Sequence, residues 1–248
     1  MKIVISGDSF TYGQGCKDRV DYTDPVTGII HSNFVSTDPP SKYCWASLLQ
    51  NHYPDHQIIN VAKVGKDNMY ISTSIIENLK DAAIVYFSGT SFNRLQVMGI
   101  SGNPTELILG GFDKYTHPEA VHLFVKHLYL ESYFLDISIS ALLATYAHCL
   151  VKDISFVWSI PYLGMMGSFT KDQSQEIITL ESIKRTELLL KDKKIPPLYD
   201  VFRIKQENKD KYLCTDGHAN EIGHEYYFNH EILPIFSKLI EEKQNKRY

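Results

Sequence analysis

An alternation of two patterns most constrains what this chain can fold into. Four short runs, KIVIS at 2–6, QIINV at 57–61, AIVYFS at 83–88 and ISFVWS from Ile154, are apolar on both sides of the pleat and bounded by turn residues. A strand with two apolar faces needs cover on both, and the longer helical patterns between the runs supply it. The expected fold class is therefore α/β, a central parallel sheet with helices on both faces. PLYDVF at 197–202 is a weaker fifth strand, giving a sheet of about five. Helices are expected over 41–53, 67–80, part of 118–151, 171–193 and 219–242, with Ser41 and Asp67 suited to N-caps. At 248 residues and 44% hydrophobic, with no repeat and no dividing linker, residues 1–248 read as one domain.

Two stretches interrupt the alternation. Residues 10–40 carry Gly13, Gly15, Pro25, Gly28, Pro39 and Pro40 and read as a long loop after the first strand. Residues 99–118 form a second Gly/Pro-rich loop after the third. Both leave the carboxyl ends of strands, where open parallel sheets bind ligands, so they are expected to wall an active site. The polar tail 241–248 is expected to fray.

Composition narrows the function classes. Lys and Arg number 25 against 29 Asp and Glu, a formal charge of −4, so bulk electrostatics favour neither nucleic acid nor an anionic membrane as a partner. Cys16, Cys44, Cys149 and Cys214 form neither a CxxC pair nor zinc-finger spacing and read as free thiols of a reducing compartment. The N-terminus lacks the apolar region and cleavage site of a signal peptide, so the expected location is the cytoplasm where the chain is made. The apolar run Ile137–Ala147 falls short of the roughly 20 residues of a bilayer span and reads as a buried helix.

Two segments carry chemistry. SGDSFTYGQG puts Ser9 on a glycine-flanked turn at the end of the first strand, where its hydroxyl can be exposed as a nucleophile and backbone N–H groups can face an oxyanion. The plainer alternative is a serine that caps a turn. CTDGHANEIGHE puts Asp216 and His218 on a glycine-bearing loop before the last helix. A histidine there can take the serine proton while a carboxylate fixes its tautomer; alone, it would be a surface or capping histidine. In a doubly wound sheet the first and last loops can open on one rim.

These residues carry a resemblance. GDSFTYG resembles block I of the GDSL or SGNH hydrolases, NVAKVGKDN at 60–68 block II, and DGHANEIGHE block V; WASLL at 45–49 is similar to that family's first helix. The resemblance implies a flavodoxin-like three-layer α/β/α sandwich and a cofactor-free serine esterase, with Ser9 as nucleophile, His218 as base and Asp216 as the acid that orients it. The oxyanion hole would take the N–H groups of Ser9 and Gly65 and one block III side chain. Block III departs from the family's G-x-N-D: FSGTSFNRLQ at 87–96 places Ser91 at the asparagine position and Asn93 two residues later, so Thr90, Ser91 or Asn93 could donate. This variant is similar to one in virus- and phage-encoded members. Block V departs as well, with the acid two rather than three residues before the histidine. Without Asp216 in reach, a backbone carbonyl would orient His218 and leave a dyad.

The implied substrates are small O-acyl groups on carbohydrate, above all acetyl. Tyr12, with Tyr22, Phe34 and Tyr43, could line the pocket or simply pack, and Arg94 could pair with a substrate carboxylate or brace its loop. Against an esterase stands an inactive glycan-binding or structural protein of the same fold, such as a virion component, which the altered blocks III and V would suit. A phosphate-cradling reading of SGDSFTYGQG lacks both a P-loop Lys-Ser/Thr and GxGxxG. His122 and His127 are five apart, and His224 and His230 are badly spaced with His218, so no metal site is expected.

Overall fold

The computed structural model describes residues 1–23, 30–32, 39–91, 94–98, 104–108, 131–160, 186, 188–190, 194–198, 201, 209–214 and 217–246. Its centre is a parallel sheet of β1 (Lys2–Ser6), β4 (Gln57–Asn60), β5 (Ala82–Ser88) and β8 (Ser155–Ser159) in the order β4-β1-β5-β8. Val4 faces Ile59 on one side and Val85 on the other, and Val85 faces Phe156. The order is flavodoxin-like, second strand outside the first and the third on its other side, and it creates a switch point between β1 and β5.

Among the described residues the sheet has four strands where about five were expected. Beyond β8 the described residues make a parallel bridge, Trp158 to Lys194, with the Ile195 N–H on the Trp158 carbonyl at 2.9 Å. Pro196 and Pro197 follow and have no N–H to extend a ladder. Of the expected strand at 197–202 only residues 197, 198 and 201 are described, and there the Val201 N–H donates to the Pro197 carbonyl at 3.1 Å, a helical rather than a ladder bond.

Alternate strand residues serve opposite layers, as the pleat requires. Ile3, Ile5, Ile84, Tyr86 and Val157 point to one face. They pack on Trp45 and Leu49 of α2 (Trp45–His52) and on the C-terminal helical rod. That rod runs as α6 (Glu221–Tyr227), a π-helical segment Phe228–Ile232, and α7 (Leu233–Asn245), as counted after α5 (Lys209–Tyr212). Val4, Val85, Phe87, Phe156 and Trp158 point to the other face, against Ile71 and Ile75 of α3 (Asn68–Glu77) and Leu142 and Cys149 of α4 (Glu131–Val151). The result is the three-layer α/β/α sandwich.

Several local expectations change. Ser41 does not cap α2: it accepts from the Tyr43 N–H and donates to Asp18, and the helix starts after Cys44. Asp67 does cap α3, accepting from the Tyr70 N–H at 2.8 Å. The loop 10–40 contains an antiparallel ribbon, β2 (Val20–Thr23) with β3 (Ile30–Ser32). The 99–118 excursion supplies β7 (Pro104–Ile108), which pairs antiparallel with β6 (Arg94–Met98). The tail is helical through Asn245, and the Lys243 ammonium donates to the Asp153 carbonyl. In α4 the window Phe134–Val151 is long and apolar enough to cross a membrane by length and composition, longer than the 137–147 run suggested. Its buried positions 134, 135, 138, 141, 142, 145 and 149 form one helical face, and Thr145 donates to Ser72 of α3 at 2.8 Å. The helix expected over 171–193 lies largely outside the described residues.

Candidate active site

The site begins with a turn that only glycine permits. A Cβ on Gly7 would sit 2.3 Å from the Thr11 hydroxyl and 2.9 Å from Ser88 Cβ, so β1 and β5 can end this close together only with a glycine there. Asp8 then caps the short helix α1 (Ser9–Tyr12), its Oδ1 accepting from the Phe10 N–H at 3.0 Å. Gly13, at φ 84°, closes the turn in the left-handed region. Ser9 is the first residue of α1, at the carboxyl end of a central strand beside the switch point.

A second turn brings His218 to it. Leu213 bridges Ala219, the Cys214 N–H donates to the His218 carbonyl at 2.7 Å, and Gly217 takes φ 84° with its N–H on the Cys214 carbonyl at 2.9 Å. Cys214 and His218 lie on the Ser9 segment: the Cys214 thiol donates to Gly15 C=O at 3.1 Å, and a Cβ on Gly15 would be 3.0 Å from His218 Cβ. His218 Nε2 stands 2.9 Å from Ser9 Oγ across 209 residues of sequence. The Phe10 ring stacks on the imidazole at 4.9 Å between centroids and 29° between planes. With Nε2 as acceptor, this is the geometry in which a hydroxyl proton passes to an imidazole.

Gly65 is buried at φ 73°, on the loop after β4 that the Lys63 N–H ties to Gly7 C=O at 3.2 Å. The Thr90 hydroxyl gives its hydrogen to Asp8 Oδ2 at 2.6 Å, and its N–H goes to Asn68 Oδ1 at 2.9 Å, so neither is turned to an oxyanion. Ser91, the next residue, is buried. Tyr12 is 7% exposed, with the Arg19 guanidinium over its ring. Arg94 opens β6 opposite Ile108. Asp216 and Asn93, and the side chains of Arg94, Tyr22 and Phe34, lie outside the described residues.

Three residues that the sequence did not single out belong to this region. Asp8 and Asn68 join the loops around Ser9. His224, read from sequence only for metal spacing, is buried and accepts the Trp45 N–H at 3.3 Å, capping α2 where Cys44 offers no side-chain bond. Burial above all, then the neighbouring His218, lowers its pKa to about 3 despite the opposing pull of Asp18. All four cysteines are free thiols, with Cys16, Cys44 and Cys149 buried. Among the described residues no three His, Cys, Asp or Glu side chains are grouped to hold a metal ion.

No protein-family model matches the sequence, and no curated protein matches it. Solved structures do match in fold. The psychrotrophic esterase EstA from Pseudoalteromonas sp. is similar with a TM-score of 0.52 at 12% identity, over 98% of this chain and 98% of that one. TesA is similar with a TM-score of 0.51 at 10% identity, over 96% and 99%. The acetyl xylan esterase AlAXEase is similar with a TM-score of 0.50 at 14% identity, over 92% and 96%. At these identities the likeness is one of fold.

Proposed function

We propose that the protein is a serine hydrolase of carboxylic esters. The observation that carries this reading is the 2.9 Å contact of Ser9 Oγ with His218 Nε2, made by two glycine-shaped turns at the carboxyl end of the sheet. A serine that only capped its turn would have no need of a histidine delivered from a loop 209 residues away.

In the proposed reaction, Ser9 Oγ attacks the ester carbonyl as His218 Nε2 takes its proton. The tetrahedral oxyanion is held by the N–H groups of Ser9 and Gly65 and by Ser91 or Asn93 on the loop after β5. His218 returns the proton to the leaving alcohol, then deprotonates the water that releases the acid and frees Ser9. Asp216 is the proposed acid that holds the His218 tautomer. Arg94, where the chain leaves that loop, is the proposed substrate-binding cation.

For the substrate we favour acetyl or similar small acyl groups on carbohydrate. The block motifs support this, as does a fold shared with an acetyl xylan esterase. In Ser9→Ala, hydrolysis of p-nitrophenyl acetate is expected to fall to the uncatalysed rate with the circular dichroism spectrum and Tm preserved. Unchanged turnover in a folded Ser9→Ala protein removes Ser9 as nucleophile and favours a binding protein with adventitious hydrolysis.

A further inference from the structure

We propose that Asn68 and Thr90 are positioning residues for the oxyanion hole, joined with Asp8 in a buried clamp that fixes the loop after β5 against the Ser9 turn. This rests on the ester-hydrolase reading above and names the device that sets its geometry.

Asn68, the first residue of α3, holds both backbone groups of Thr90. Its Oδ1 accepts the Thr90 N–H at 2.9 Å and its Nδ2 donates to the Thr90 carbonyl at 3.0 Å. The Thr90 hydroxyl donates to Asp8 Oδ2 at 2.6 Å, while Asp8 Oδ1 receives the Phe10 N–H. Asp8, Asn68 and Thr90 are all buried, so water does not compete for these bonds. One residue is thus tied by three bonds to two other elements, and rotation of either flanking peptide breaks at least one of them. Gly89 makes the approach possible: a Cβ there would be 2.8 Å from the Ser159 carbonyl and 3.2 Å from Asn68 Oδ1.

The clamp joins the three segments that carry the proposed donors: 8–10 with Ser9, 65–68 with Gly65, and 89–91 with Ser91. Thr90 has given both its hydrogens away, so what it supplies is the place of Ser91, the residue at the spacing where the G-x-N-D pattern puts its asparagine. Oxyanion donors act only within about 2.7–3.1 Å of the developing charge. A misplacement of roughly 1 Å can cost on the order of a hundredfold in rate. A group that sets this distance acts on the transition state more than on bound substrate.

The test compares Thr90→Val, isosteric without the hydroxyl, with Thr90→Ser, which keeps it, using p-nitrophenyl acetate and a fluorophosphonate probe. Thr90→Val is expected to lower kcat about 10- to 100-fold with KM within about threefold, and to slow fluorophosphonate labelling in proportion. Thr90→Ser is expected to recover kcat to within about threefold. A folded Thr90→Val with unchanged kcat, a rise in KM alone, or no recovery by Thr90→Ser overturns the proposal. Should Thr90→Val not fold, Asn68→Ala is read by the same split, and unfolding of both assigns the clamp to folding alone and overturns its role in catalysis. Ser9→Ala separates the two levels: if it still turns over, the hydrolase reading fails, whereas an inactive Ser9→Ala beside an unimpaired Thr90→Val removes only the clamp.

Discussion

Asp8, Ser9 and Thr90 show what a local sequence signal can and cannot carry. Ser9 and His218 were legible because each sits in a glycine-bearing turn whose composition is itself the signal. The clamp was not legible, because Asn68 and Thr90 are 22 residues apart and Thr90 and Asp8 are 82 apart, and nothing local marks such pairs. His224 was hidden for a related reason, since its partner is a backbone N–H of α2. Its pKa of about 3 when folded lies below the roughly 6.5 of an unfolded histidine. Between those values the unfolded chain binds a proton that the folded chain refuses, so stability falls as pH drops through 6.5 towards 3. From pH 7 to pH 5 this residue alone should cost about 2 kcal/mol. His224→Asn keeps an acceptor near the Trp45 N–H but does not titrate. Urea unfolding at the two pH values is expected to show a loss smaller by about that amount, and an equal loss in both proteins would rule His224 out as the acid-sensitive group. For Asp216 the measurement is kcat of Asp216→Asn beside His218→Ala. A carboxylate that orients the base predicts a fall of about 10⁴. A loss of tenfold or less, about 1.4 kcal/mol, means a Ser9–His218 dyad.

The core strands were read almost to the residue because a strand buried on both faces has an unbroken apolar signature. The fifth strand failed for a backbone reason, since Pro196 and Pro197 stop the ladder just where the side chains still look strand-like. Helix α2 was started too early because Ser41 caps a turn with Asp18 rather than the helix. The ribbons β2–β3 and β6–β7 were missed because glycine and proline dominate the composition of the segments that contain them. Close approach of elements is testable at Gly89, where β5 leaves the sheet beside β8. A methyl group there meets the Ser159 carbonyl at 2.8 Å, and that oxygen already receives the Gly89 N–H. Gly89→Ala is therefore expected to lose about 1–3 kcal/mol in urea unfolding, the range for an overpacked site. A loss below about 0.5 kcal/mol, the size typical of surface changes, would mean that the two strand ends are less tightly joined.

At the scale of the whole molecule, the order β4-β1-β5-β8 opens the crevice between β1 and β5, and the C-terminal rod returns across the sheet so that the loop before it meets the first turn. Sequence pattern gave the layers and the two turns. The meeting of residues 9 and 218 is a property of topology. The proposed chemistry needs Ser9 to be a nucleophile and not only a neighbour of His218. The direct measurement is to treat the folded protein with a fluorophosphonate and map the adduct by mass spectrometry of its peptides, with His218→Ala in parallel. A single stoichiometric adduct on Ser9, lost or strongly slowed in His218→Ala, is expected; no adduct on the folded protein, or an adduct on another residue with Ser9 unmodified, contradicts a serine-hydrolase site.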